Sequence, residues 1–219
     1  MKIGIICAMD KEIGRYFELY DLKLKDEKRE IYEADNIIIA RCGIGKVNSS
    51  IMVQHLIDKY NVDLVISSGC AGALTDEFNV MDVVVPKYVT YHDFLPERVM
   101  KYSTPDNGHI KVEENLRNLF KQVMDEENIK YIEEAICSGD SYVTDDITAK
   151  EIVERTGAKV VDMESASIGH TARVNGIPFI TIRTISDFAN GDDSFELKAS
   201  IKASEIIYKC VNKLTTKLT

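Results

Sequence analysis

Apolar residues along the chain follow two rhythms, and the switches between them lay out the fold. Short unbroken apolar runs recur at Ile3 to Cys7, Ile37 to Cys42, Leu64 to Ser67, Val83 to Val85, Ile132 to Cys137, Val160 to Asp162 and Phe179 to Ile185. Several lack polar alternation, as strands buried on both faces do. Between them the apolar positions repeat at helical spacing. Val53, Leu56, Ile57 and Tyr60 make one stripe, and Val112, Leu116, Leu119, Phe120 and Val123 another. Phe195, Ile201, Ile206, Cys210 and Leu214 mark a final helix, with Asp193 and Glu196 spaced as its capping box. Alternating strands and helices predict an α/β fold, a three-layer α/β/α sandwich whose central β-sheet is largely parallel or mixed. The least regular stretch, Tyr91 to Gly108, is expected to be a long surface loop or lid.

Composition narrows the function classes. A chain of 219 residues, 45% of them hydrophobic, is expected to be a single domain over 1–219 with a full core and a deep pocket. Acids outnumber bases 36 to 27 for a net charge of -9, and the lysines are scattered, which argues against nucleic acid as a partner. The opening MKIGIICAMDKE is too briefly apolar for a signal peptide, and no later stretch resembles a membrane span, so a cytoplasmic location is expected. The five cysteines, at 7, 42, 70, 137 and 210, contain no CxxC pair and are read as reduced thiols. Histidines at 55, 92, 109 and 170 lack ligand spacing, so neither a metal nor a cofactor is called for.

The candidate chemistry lies where apolar runs end in acids. Val160 and Val161 lead to Asp162, Met163 and Glu164 at a helix start; Phe179 to Ile185 leads to Ser186 and Asp187, with Arg183 inside the run. Strands that carry acids out of a core usually carry them to a site. Asp187 is either a desolvated acid or a helix N-cap. Arg183 needs an anion, which a ligand or a structural pair with Glu164 or Asp162 would supply. Glu12, shortly after the first strand, either points back over the sheet edge or is a solvated acid in a first helical turn. GIGKV at Gly43 to Val47 and SGCAGAL at Ser68 to Leu74, with Cys70, Ala71 and Gly72, are either tight turns or loops whose backbone N–H groups approach an anion or a sugar. They lack P-loop and dinucleotide spacing. Nothing fixes a distance between Cys70 and His92, so a thiol–base pair has little support.

Taken in order, MKIGIICAMDKE, CGIGKV, SSGCAGAL, YHD, CSGDSYVTD, VVDMESASI and IRTISD resemble the 5'-methylthioadenosine/S-adenosylhomocysteine nucleosidases, within the purine nucleoside phosphorylase fold. The resemblance implies hydrolysis of an N-glycosidic bond: adenine leaves and water attacks the anomeric carbon through an oxocarbenium-like transition state. It implies Asp187 as general acid at adenine N7 with Ser186 steering it, and Glu12 as the base for the water, helped by Arg183. Glu164 would grip the ribose hydroxyls, Met163 pack on the sugar, Tyr142 stack on the purine and the Val143 backbone read its edge. Met9, Ile44 and Phe195 would line the 5'-substituent pocket, and a homodimer is implied.

Two positions depart from the pattern. Cys70 stands where that family usually has a serine by the water site, and a thiol is the weaker donor. After Tyr91-His92-Asp93 the family usually has an aromatic, glycine-rich segment closing the neighbouring subunit's 5' pocket, whereas this chain reads FLPERVMKYSTPDNG. A phosphorolytic relative is the main alternative. Phosphate would need arginines at the glycine loops; Arg41 precedes CGIGKV, but SSGCAGAL has none beside it and Glu12 would repel an anion. A nucleoside-binding module without activity is the other, and retention of both Glu12 and Asp187 argues against it.

Overall fold

The computed structural model describes residues 1–189 and 196–217. Phe195 and Asp193 of the expected capping box lie outside the described residues. The chain opens with β1 (Ile3–Cys7), short helices α1 (Asp10–Ile13) and α2 (Tyr16–Leu19), then β2 (Lys23–Asp26), β3 (Ile31–Ala34), β4 (Ile37–Arg41) and α3 (Lys46–Tyr60). There follow β5 (Leu64–Ala73), β6 (Val83–Val84), β7 (Tyr88–Tyr91), α4 (Glu97–Ser103), β8 (Ile110–Lys111) and α5 (Glu114–Glu126). The last third comprises β9 (Tyr131–Ile132), β10 (Ile136–Ser138), α6 (Asp146–Thr156), β11 (Val160–Asp162), α7 (Ser165–Val174), β12 (Phe179–Phe188) and α8 (Lys198–Lys217).

Among the described residues the strands form one mixed sheet. Its main path is β2-β3-β4-β1-β5-β11-β10-β7-β8, with β12 joining β5 to β6 and β6 continuing to β9. Helices α3 and α7 pack on each other, and α8 gathers α1 and α5 against β5 and β12. The core fills with the expected runs: Ile3, Ile5, Ile38, Ile39, Val65, Ile66, Phe179, Ile180 and Ile182 are all fully buried. The sandwich expected from the alternation is present.

Strand β5 creates the functional cleft by changing partners partway along. Its first half pairs with β1, from Leu64 to Ser67; its far end pairs antiparallel with β11 at Gly72 and Ala73. Between these, Ser68 to Ala71 have β12 on one side and, among the described residues, no strand on the other. A buried backbone N–H on such an edge must find a partner, and side chains arriving over the fork supply it.

Three expectations change. SGCAGAL is not a turn after a strand: β5 runs on through Ala73. Its glycines remain extended because β12 pairs alongside as far as Phe188, and they mark close approach rather than reversal. The run Ile132 to Cys137 is divided between β9 and β10. Tyr91 to Gly108 is not wholly irregular, since α4 and a short 3-10 turn at Pro105–Gly108 occupy most of it from Glu97 onward.

Candidate active site

Glu12 reaches the fork from α1, directly after β1. Its Oε2 accepts from the backbone N–H groups of Ala8 at 2.7 Å and Met9 at 3.0 Å, and its Oε1 accepts from that of Cys70 at 3.1 Å. Three convergent N–H donors favour a carboxylate in a buried setting. A Cβ on Gly69 would stand 2.2 Å from Oε1, so Glu12 fits only because residue 69 has no side chain. Burial pushes the Glu12 carboxyl up, while Arg183 and the N–H donors pull it down; burial wins.

Asp187 arrives from the opposite direction. In β12, Ile185 pairs with Ala71 and Asp187 with Gly72, so Ser186 is the extra residue of a bulge. Without it, Ser186 and Asp187 would point to opposite faces; with it, both line the cleft. Ser186 Oγ donates to Asp187 Oδ2 at 2.7 Å. Oδ1 would meet a Cβ on Gly72 at 3.1 Å, so this glycine too provides clearance for an acid.

Glu164 follows β11, and its Oε1 accepts from the N–H of Gly45 at 2.9 Å. Gly45 has φ +101°, a conformation natural to glycine. Burial, then the neighbouring Asp162, pushes Glu164 up to about 8. Asp162 itself is surrounded: Arg183 Nε donates to Oδ2 at 2.8 Å, and Ser138, Ser165 and the Glu164 N–H also donate to its carboxylate. Arg183 is 2% exposed and its Nη2 donates to Ser67 Oγ at 2.9 Å, so it underlies the site rather than lining it. The structural pair with Asp162 is therefore present. The Asp162 oxygens, committed to these donors, support the site from beneath.

A cleft of about 130 Å³ joins these groups. Glu12, Asp187, Met9, Ile44, Cys70, Ala71, Gly72, Tyr142, Val143, Asp162, Met163, Glu164 and Ser186 all line it, so the sequence-selected residues converge on one place apart from Arg183 and the undescribed Phe195. Ala8, Ser141, Val161 and Ala189 also line the cleft and were not singled out by sequence. Ala8 had a signal, as the residue whose N–H could serve Glu12; the others are small neighbours of selected residues. Cys70 Sγ lies 3.7 Å from Glu12 Oε1, and burial and that carboxylate push the thiol up to about 12. At neutral pH it is a weak donor, not a thiolate. His92 is absent from the lining. Among the described residues no cluster of metal-ligating side chains exists.

The glycine loops do approach anions, and those anions are the protein's own carboxylates. Arg41, the arginine that precedes CGIGKV, is ion-paired with Asp10 and Glu30. It does not line the cleft.

A mixed sheet forked at a cleft, with opposed buried acids and a carboxylate held by a glycine N–H, places the chain in the phosphorylase superfamily, which it matches over residues 2–216. A 5'-methylthioadenosine/S-adenosylhomocysteine nucleosidase from Shewanella halifaxensis is 30% identical over 98% of this chain and 100% of its own. One from Buchnera aphidicola is 32% identical over 92% of this chain and 91% of its own. The S-adenosylhomocysteine nucleosidase of Streptococcus pyogenes, solved with 5-methylthiotubericidin, superposes at TM-score 0.89 with 28% identity, covering 98% of this chain and 97% of that one. The futalosine hydrolase of Helicobacter pylori reaches 0.88, also at 28%, over 97% and 98%. The chain belongs to the 5'-methylthioadenosine/S-adenosylhomocysteine nucleosidase family.

Proposed function

We propose that the protein hydrolyses the N-glycosidic bond of 5'-methylthioadenosine and S-adenosylhomocysteine, releasing adenine and the 5'-thio-substituted ribose. The observation that carries this is Glu12, a carboxylate fixed by three backbone N–H groups where a phosphate would otherwise find its donors. Water suits that place and an anion does not. Oε2 is committed to the N–H groups of Ala8 and Met9, whereas Oε1 has one N–H and only the long, weak contact of the Cys70 thiol, so Oε1 is the oxygen placed to take the proton of the attacking water. Across the cleft, Ser186 occupies Asp187 Oδ2 and leaves Oδ1 to deliver a proton to adenine N7. The leaving base then departs neutral, and positive charge builds on the ribose facing Glu12. Glu164 grips the ribose hydroxyls, Met163 packs on the sugar, Tyr142 stacks on the purine and Val143 reads its edge. Met9 and Ile44 receive the 5' group.

The same proposal includes a homodimer and a cytoplasmic location. Val47 and Ile51 lie on one side of α3 at 67% and 62% exposure, an apolar face suited to a second copy. All five cysteines are free thiols, which suits a reducing compartment. The test is to incubate the protein with 5'-methylthioadenosine, S-adenosylhomocysteine, adenosine, inosine and futalosine, with and without phosphate, and identify base and sugar. Adenine and free thioribose, unaffected by phosphate, are expected. A ribose 1-phosphate product would overturn hydrolysis, and a preference for inosine or futalosine would overturn the substrate class.

A further inference from the structure

A charged ring at the rim of the cleft has no part in the chemistry above. Lys46 opens α3, Asp93 follows β7 and Asp140 follows β10. Lys46 Nζ donates to both oxygens of Asp93, at 2.6 and 2.5 Å. The Lys46 backbone N–H donates to Asp140 Oδ1 at 2.8 Å, and the Asp140 backbone N–H donates to Asp93 Oδ2 at 2.8 Å. Each of the three residues thus holds the other two. The fit is close: a Cβ on Gly45 would stand 2.9 Å from Asp140 Oδ1.

An exposed pair of charges contributes little. This ring differs in two ways. It ties backbone as well as side chains, and Asp93 is half-buried: burial pushes its carboxyl up, yet Lys46 and the Asp140 N–H hold it below its ordinary value. The residues next to the ring are also those that would touch ligand. Gly45, which grips Glu164, precedes Lys46, and Ser141, Tyr142 and Val143 follow Asp140.

We infer that Lys46, Asp93 and Asp140 are positioning residues: a clasp that fixes the ribose-gripping loop and the base-stacking loop relative to each other. The inference rests on reading the cleft as a nucleoside site. Glu12 and Asp187 keep their places through Ala8, Met9, Cys70 and Ser186, none of which the clasp touches. Opening the clasp therefore loosens the grip on the nucleoside and leaves the reacting carboxyls in register.

The experiment measures kcat and KM for 5'-methylthioadenosine, Kd for adenine by calorimetry, and Tm, in Lys46→Met, Asp93→Asn, Lys46→Arg and the Lys46→Met/Asp93→Asn double variant. Lys46→Met and Asp93→Asn are expected each to raise KM and adenine Kd about tenfold, the scale of coupling within one ion-pair network, with kcat within about threefold of wild type. Lys46→Arg restores most of the affinity, and the double variant is no worse than the worse single. A purely structural role would reduce the folded fraction, lowering kcat and leaving KM fixed. That pattern, unchanged KM and Kd in both folded single variants, or penalties that multiply in the double variant, would overturn the clasp. If the wild type binds adenine but cleaves no thio-nucleoside, the proposed reaction falls and adenine Kd still judges the clasp. If it binds neither, both fall.

Discussion

On the sheet side of the cleft, Glu12 and Asp187 are buried, and the hydrogen bonds that aim them among the described residues come from β5, β12 or the turn after β1. On the rim, Ile44 and Tyr142 are 51% and 67% exposed and sit on loops joined by charged side chains. The sheet side tolerates almost no displacement, because a Cβ at Gly69 already meets a carboxylate. The rim is held by polar contacts that solvent weakens. The contrast implies that the sheet side sets the rate and the rim sets affinity and the choice of 5' substituent.

The strongest test of that division is Asp187→Asn or Glu12→Gln. Each change is nearly isosteric, so the fold should survive by circular dichroism while kcat drops by at least ~10²-fold, the scale of a general acid or base. Near-normal turnover in either folded variant would remove the division at its root. Gly69→Ala comes next. Its Cβ would stand 2.2 Å from Glu12 Oε1 and must displace it, so kcat should fall about tenfold or more. Gly72→Ala, at 3.1 Å from Asp187, should be milder. Reversal of that order would show that the base tolerates movement better than the acid.

Glu164 gives a pH test. A carboxyl raised to about 8 in the folded protein holds its proton more tightly there than in the unfolded chain. Its contribution to stability is therefore complete at acid pH and is lost as pH climbs from the ordinary carboxylate range, about 4 to 5, towards 8. Urea midpoints of wild type relative to Glu164→Gln should decline across that window in the ligand-free protein; a flat difference would contradict the shift. On the rim, Tyr142→Ala should raise KM by roughly five- to tenfold through lost stacking, with kcat little changed. The smallest effect is expected at Cys70→Ser, where a hydroxyl replaces a weak thiol donor 3.7 Å from Glu12 and activity is kept or raised. Complete loss there would favour covalent cysteine chemistry.

The same division governs what could be read from sequence. Val160 to Asp162 and Ile3 to Cys7 were legible because continuous apolar runs have one physical meaning in an α/β chain, and the carboxylates at their ends stand out against them. The extent of β5 was not, since SGCAGAL looks like turn punctuation until Glu12 and Asp187 are seen to need the room. The Ser186 bulge was hidden because strict alternation would place Asp187 on the same face as Arg183. Helix α4 and the Lys46–Asp93–Asp140 ring were equally hidden, because local pattern does not say which surface charges meet across 47 and 94 residues of chain. Arg183 illustrates the middle case. Its need for an anion followed from burial; that the anion is Asp162 depends on how β11 and β12 flank β5.

The N–H groups of Ala8, Met9 and Cys70 converge on a point occupied by a side chain from the same polypeptide. This constrains the order in which descendants of the sequence could change. Adding an arginine near the fork while Glu12 remains would produce an internal ion pair and no new chemistry. Losing Glu12 first would leave three oriented donors, with the buried Arg183 behind them, ready for an external oxyanion. Divergence from water towards an anionic co-substrate is thus gated at one codon, and the backbone, which no point substitution alters directly, carries the latent half of the alternative site.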